Sequence, residues 1–479
     1  MTFDISAGVE DLIDAAIDCE VLHSPGTSDF LKQGGYYVYN SPVGAGSMIL
    51  PGRGAPAPDV PADNINLEVL DPNTFHINGQ SAASMYAKWE TRIYELFHPF
   101  KTMPRPEDFD PAIDKLDQLL PLLAIQPELY ANTSDDGGGG PLGFSVTGND
   151  DFTLIESASA EFAVMQGLTA DAFRKYYLDR FPLVTQRQYG VAQMLKAAVV
   201  GEQQVWERLQ RDVRALVTDA TNAFNSNGQG GGEGSKQSLE VAGVVAAVAT
   251  LIPPIAAAAG VAATVIGVLT VLPIPKGTPH TYSLPGTGAE EIWSSVVHAS
   301  DTIKDAAGDQ ERTLGDHMDD IHGFVDSDPG LFDLGRIDDG YGPAGQSADE
   351  ELNAETDPTK IIGVIDINYD IVISTGQDLI DVAHVFDEAA KLLNGSLTSG
   401  AWSRSGEIGS GYIGHYEQTA SLAQSLVTTL RGTYAGLTNA GQVIQLVARQ
   451  LRDHDGDVGG DLRDRQRRLE LAGAGKPVG

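Results

Sequence analysis

Residues 375–393, TGQDLIDVAHVFDEAAKLL, decide the fold class. Thr375, Leu379, Val382, Phe386, Ala389 and Leu393 follow one another by fours and threes, which places them on one face of an α-helix. After residues 394–414 the same rhythm resumes at Tyr416. It continues through Ala423, Val427, Leu430, Tyr434, Leu437, Gly441 and Ile444 to Leu451. Two amphipathic helices joined by one loop bury their stripes against each other, so the pattern predicts an antiparallel, coiled-coil-like hairpin over 358–455.

Working outward, the tail 456–479 is charged and contains glycine, with room for one more short helix. Upstream, 327–357 is acidic and rich in Gly, Pro and Asp, which predicts a solvated linker. Before it, Ile292, Val296, Ile303, Leu314, Met318, Ile321 and Val325 mark one face of a long helix over 286–326. Thr287 and Glu290 at its start have the spacing of a capping box. Such a helix needs a partner. The stripe Val205, Leu209, Val213, Leu216, Ala220 and Phe224 supplies one, and the pair predicts a long antiparallel rod.

Between the two lies VAGVVAAVATLIPPIAAAAGVAATVIGVLTVLPIP, residues 241–275, without a single charged side chain. Pro253 and Pro254 break it into two arms, because proline lacks the amide donor and pushes its predecessor out of the α region. Each arm is shorter than the roughly 20 residues that cross a bilayer. A hairpin that enters and returns is the geometry left. Gly243 and Ala247 in one arm, and Ala259, Ala263 and Gly267 in the other, recur at the spacing that lets helix backbones pack closely. Two readings stand open: a membrane-inserting and oligomerising hairpin, or a hairpin buried in the protein's own bundle. The segment 229–285 comprises this insert and a Gly-rich linker.

The N-terminal segment 1–72 holds an amphipathic helix near Asp4–Glu20 and two strand-like runs, Tyr36–Tyr39 and Ser47–Leu50, followed by a Pro-rich loop from Pro51 to Pro72. The helical region 73–228 opens with Met85, Trp89, Ile93 and Phe97 at i+4 and a stop at Pro99. It continues through PRPEDFDPAIDKLDQLLPLLA, the glycine loop SDDGGGGPLG, and a helix from Asp151 toward Gly167. Thr169 is the expected cap of the next helix, in which Pro182 introduces a kink. The expected architecture is therefore mainly α: long antiparallel helical hairpins or a bundle, an apolar hairpin insert and a small N-terminal β element.

Acidic residues outnumber basic ones 66 to 31, for a formal charge of -35 and a pI near 4.4. Phosphate binding requires clustered Lys and Arg, so nucleic acid is excluded as a partner and anionic headgroups are disfavoured. Cys19 is the sole cysteine, which rules out an intramolecular disulfide and a cysteine-rich zinc site. The acidic N-terminus MTFDISAGVEDLIDAAIDCE lacks the basic region and apolar run of a general secretory signal.

The hairpin with Trp402 in its loop, GAWSRSG, resembles the WXG100-like proteins exported by type VII secretion systems of actinobacteria and other Gram-positive bacteria. Residues around Gly167–Phe224 resemble a more degenerate copy. The pattern departs from the family after the tryptophan, where the family's glycine is Arg404 and Gly406 follows two residues later. The family's export signal, Tyr-x-x-x-Asp/Glu, is absent behind the hairpin. Tyr86–Glu90 matches it, but far upstream. The order long helix, apolar insert, long helix is also similar to that of α-helical pore-forming toxins of the haemolysin E group.

Catalytic patterns are absent: there is no Gly-x-Ser-x-Gly, HExxH or P-loop. His317 and His322 lie five apart, poor spacing for a shared metal on a helix. Asp453, Asp455, Asp457, Asp461 and Asp464 follow an EF-hand count but carry Val458 where the loop needs glycine. No catalytic, cofactor or metal residue is therefore expected. Trp402 and Gly406 are expected to shape the hairpin turn, Trp402 by packing. Two functional readings result. The first is a non-enzymatic, type VII secretion-associated effector or structural component, secreted or at the cell surface by a non-Sec route, contacting membrane through 241–275 and a helical partner or its own copies. The second is a soluble, cytoplasmic helical scaffold or partner-binding protein with the apolar hairpin permanently buried.

Overall fold

The structure is a computed structural model that describes residues 3–24, 29–40, 46–58, 67–125, 148–163, 173–227, 284, 288–335 and 368–474. The insert residues Gly243, Ala247, Pro253, Pro254, Ala259, Ala263 and Gly267 lie outside the described residues. So do Thr169, Thr287, the glycine loop after Asp135 and most of the acidic linker.

The fold is mainly α with a small N-terminal four-stranded mixed sheet. Helix α1 (Ser6–His23) is followed by β1 (Phe30–Gln33), β2 (Tyr36–Asn40), β3 (Ser47–Pro51) and β4 (Leu67–Val69), adjacent in that order. The expected β2–β3 hairpin is present, with Tyr36 opposite Pro51 and Asn40 opposite Ser47. Two strands of this sheet escaped the sequence reading. In β1 only Phe30 is buried, so no alternation marks it. In β4 three residues pair parallel to β3 inside a stretch that reads as Pro-rich loop.

Helices α2 (Ala82–Phe97), α3 (Asp110–Leu123) and α4 (Thr153–Ala163) lead into α5 (Phe181–Asn227) and α6 (Ala289–Ser327). Ser81 caps α2 by accepting from the Ser84 amide. Pro182 does not kink a continuous helix. A π-helical turn at Arg174–Leu178 ends first, and α5 then starts at Phe181, placing the proline in the first turn where its missing amide costs nothing. Arg180 donates to the Gly330 carbonyl at one end of α5, while Phe224 and Trp293 both pack on Trp89 at the other, each with ring centroids 5.8 Å away. Helices α5 and α6 are therefore antiparallel, and the chain on either side of residues 228–287 is held at one end of the pair.

Two expectations near α6 are corrected. Gly288 occupies the N-cap without a side-chain cap, and the Glu290 carboxylate binds Lys88 and Arg92 on α2 rather than closing a capping box. The presumed linker does not begin in solvent. Phe332 and Leu334 are fully buried, and Arg187 and Gln188 donate to the carbonyls of Leu331 and Phe332 at 3.1 and 2.6 Å.

Helices α7 (Tyr369–Leu393) and α8 (Tyr416–Ala474) form the expected hairpin. All six residues of the first stripe are buried. The backbones touch at Gly376 and Gly441: a Cβ on Gly376 would sit 2.7 Å from the Gly441 carbonyl oxygen. Helix α8 does not stop near Gly456 but runs 59 residues to Ala474, so the aspartates after Leu451 lie on helix rather than in a calcium loop. Against α7 rests α4, which packs on the hairpin and the π-turn. The degenerate copy expected around Gly167–Phe224 begins on residues outside the described ones; its described part holds the π-helical turn and α5. Helix α8 also lies along α5 and α6, which joins the hairpin to the rod in one core.

Gly441→Leu should force α7 and α8 apart and cost about 1–3 kcal/mol, typical of overpacking. Urea unfolding with Leu446→Ala as an exposed control on the same helix checks this. Equal midpoints would contradict the close contact.

A sealed carboxylate–arginine cluster as the candidate functional site

The turn joining α7 to α8, residues 394–415, is the point where the two halves of the molecule meet. A 3-10 turn at Ser399–Trp402 drops Trp402 into the core. Its ring stands edge-on to Phe109 at 4.9 Å and tilted to Tyr416 at 5.3 Å. Gly406 sits under the exposed ring of Tyr412: a Cβ there would lie 3.0 Å from that ring, which would have to shift outward to admit it. The Ser405 amide donates to Thr102 Oγ1 at 2.9 Å, which ties the turn to the segment after α2.

Arg404, two residues after Trp402, carries the turn's deepest contact. Its guanidinium is fully buried between Glu202 of α5, 3.5 Å from Nη1, and Glu311 of α6, in contact with Nη2. Nη1 and Nε also donate to the carbonyls of Trp402 and Ile408 at 3.2 and 3.3 Å. The Trp206 ring lies 4.7 Å from Cζ, a cation–π contact shielded from bulk solvent.

Each carboxylate is further engaged. Glu202 accepts from Trp206 Nε1 at 2.9 Å and meets His415 Nε2 at 2.9 Å, while His415 Nδ1 faces the Thr419 hydroxyl at 2.8 Å. Glu311 accepts from the Ser410 amide at 2.6 Å and from its hydroxyl at 3.2 Å. Glycine is required where the turn passes over these groups. Gly414 has φ +51°, and a Cβ there would lie 2.7 Å from both Arg404 Nη2 and Glu311 Oε1.

Burial without compensation would raise both carboxyl groups, and the two diverge because their partners differ. Against that burial, His415 and Arg404 hold Glu202 down at about 2. Burial and the neighbouring Glu202 charge push Glu311 well above the ordinary carboxylate range, with Arg404 only partly opposing. The two carboxylates are linked through Arg404, which contacts both. The surroundings thus push the two carboxyls in opposite directions, Glu202 toward its charged form and Glu311 toward its neutral one.

Trp402 and Gly406 therefore both belong to this turn, and Trp402 packs. The other sequence candidates do not join it. His322 meets Asp326 at 3.2 Å, and His317 is half-buried on the same helix. Tyr86, first residue of the misplaced export pattern, is buried and donates to the Pro51 carbonyl at 3.0 Å. Glu202, Glu311 and His415 were missed, although two left a trace. Glu202 continues the stripe Leu195, Ala198, Val205, Leu209, and Glu311 the stripe Ile303, Ala307, Leu314, Met318. A charge on an apolar stripe signals a buried partner.

Among the described residues, no helix is long and apolar enough to cross a membrane, and no group of three or more His, Cys, Asp or Glu could hold a metal ion. No protein-family model, curated protein or solved structure matches the chain.

Arg404→Ala should cost about 3–5 kcal/mol, because it leaves carboxylate charge buried without its counter-ion. Arg312→Ala, which removes only an exposed pair with Asp309, should stay within about 0.5 kcal/mol. Denaturant unfolding of both variants checks the difference.

Proposed function

We propose that this protein is a non-enzymatic, type VII secretion-associated helical protein that presents the apolar segment 241–275 to a membrane from the end of a paired-helix stalk. The observation that carries the reading is the packing of Phe224 and Trp293 on one tryptophan, Trp89. It fixes the two chain ends flanking 228–287 side by side, as a segment that must enter and return requires. A second support is the hairpin α7–α8 with its tryptophan in the turn. A third is that the titratable cluster under that turn is sealed, with side-chain exposures of 0–2%. A sealed cluster suits a structural role better than a substrate site.

With a net charge of -35, attraction to anionic headgroups does not contribute, so membrane contact would be driven by apolar burial. In lipid, Gly243, Ala247, Ala259, Ala263 and Gly267 would allow copies to pack closely around the break at Pro253–Pro254. Export by a non-Sec route to the cell surface or medium fits the resemblance of the hairpin.

The test compares the intact protein with one lacking residues 239–275 for dye leakage and flotation with neutral phosphatidylcholine liposomes. Leakage or co-flotation by the intact protein alone is expected. Absence of lipid association by both, with a deletion variant that does not fold, would make the segment part of the core and the protein a scaffold.

A further inference from the structure

An apolar row crosses the outer face of the N-terminal sheet. The strand register sets Leu31 of β1 opposite Val38 of β2, Val38 opposite Ile49 of β3, and Ile49 opposite Val69 of β4. Partners in register share a face, so these four side chains form one line across the whole sheet. Their in-strand neighbours Phe30, Tyr37 and Leu50 turn inward and are buried, and the Tyr37 hydroxyl donates to Asp18 of α1 at 2.6 Å. Leu31 and Val69, by contrast, are 61% and 40% exposed, with Val38 and Ile49 partly exposed between them. Alternation also turns Lys32 and Glu68, the charged residues of the four strands, to the inner side, where Lys32 pairs with Asp18. The outer face thus carries no charge, on a protein of net charge -35. Among the described residues, the chain after β3 reaches this face at one corner, where the Tyr36 hydroxyl donates to the Pro56 carbonyl at 3.2 Å.

Position and size narrow the choice of occupant. The sheet rests on the last turns of α1, where Glu20, two residues beyond Asp18, accepts from Trp89, the residue that gathers Phe224 and Trp293. The face therefore stands beside the end of the rod at which the chain leaves toward residues 241–275. From α5 across α1 and the sheet to its outer side is about 30 Å, three layers of roughly 10 Å each. The chain from Asn227 to Val241, and from Pro275 to Gly288, can extend to roughly 45 Å, so the segment reaches. Four strands about 4.8 Å apart span roughly 14 Å, the width of one helix with its side chains. A second copy is a poor fit, because a face on the order of 200 Å² is far below the roughly 800 Å² per partner of a stable interface.

We propose that in water one arm of the apolar segment 241–275 docks on the outer sheet face, over Leu31, Val38, Ile49 and Val69, and that lipid takes the segment from this face. The docking stands on the sheet, whereas the transfer to lipid rests on the membrane reading above. Without such a contact, an uncharged segment and a row of four apolar side chains both stay in water. Docking removes both from solvent with no charge to desolvate. Apolar burial is non-directional, so the segment leaves without breaking a specific bond, as one destined for a bilayer must. A carboxylate placed on the row would oppose the docked form, since it would face apolar surface without a partner.

The experiment is photo-cross-linking of the full-length protein in buffer, with benzoylphenylalanine replacing Val69 or, as a control on α8, the exposed Leu446, and mass spectrometry of the products. Cross-links from position 69 should fall within 241–275, and those from position 446 should not. Cross-links from position 69 only to residues 59–66 or to a second copy, or none to 241–275 above the control, would overturn the proposal. Leu31→Asp, at an exposed position on an edge strand, supplies a second readout. Thermolysin should cleave 241–275 about tenfold faster than in wild type, with unchanged far-ultraviolet circular dichroism. An unchanged cleavage rate would also overturn it. Neutral phosphatidylcholine liposomes should then reduce the cross-links to 241–275. Cross-links that form in buffer and persist unchanged with liposomes would support the docking and contradict the membrane reading, so the two fail separately.

Discussion

One guanidinium between two buried carboxyl groups sets the layout of this molecule. Arg404 reaches Glu202 on one arm of the rod and Glu311 on the other, from a turn that belongs to a third element. None of the three can stay buried alone, because an unpaired charge in a dry site costs several kcal/mol. The helices must therefore meet there, in that register. Much of the surrounding detail answers to this requirement: glycine at 414 so that the turn can pass, Trp206 beneath the guanidinium, and amide and imidazole groups on the remaining carboxyl oxygens.

Around that point the apolar contacts supply the bulk of the stability, without specifying register as sharply. Trp402 fills the space between Phe109 and Tyr416, and α1 lies along α5 with Val9, Leu12 and Ile13 fully buried. At the far end, Trp89 gathers Phe224 and Trp293 while its indole nitrogen donates to Glu20. A tryptophan marks each end of this packing, and each fixes elements remote in sequence.

Much of the helical architecture was legible in the sequence because amphipathic stripes report burial directly. Thr375 to Leu393 and Val205 to Phe224 are buried as their spacing predicts. What escaped had physical reasons. Strand β4 is too short for alternation to show and takes its register from β3. Residues 329–335 read as solvated because Gly, Pro and Asp dominate them, yet Arg180, Arg187 and Gln188 draw their carbonyls into the core. The cluster was half visible. Arg404 stood out as the residue in the wrong place after Trp402, but nothing in one chain's spacing links it to glutamates 202 and 311. The stripes show that the two glutamates are buried, but not which residue pairs with them.

The account's central claim is that Arg404 couples the hairpin to the rod through the carboxyl pair. A double-mutant cycle on unfolding free energy, with Arg404→Met, Glu202→Gln and their combination, measures it most directly. Coupling predicts that the double variant is less destabilised than the sum of the singles, by more than about 1 kcal/mol. Additive losses would contradict it and reduce the cluster to independent buried groups.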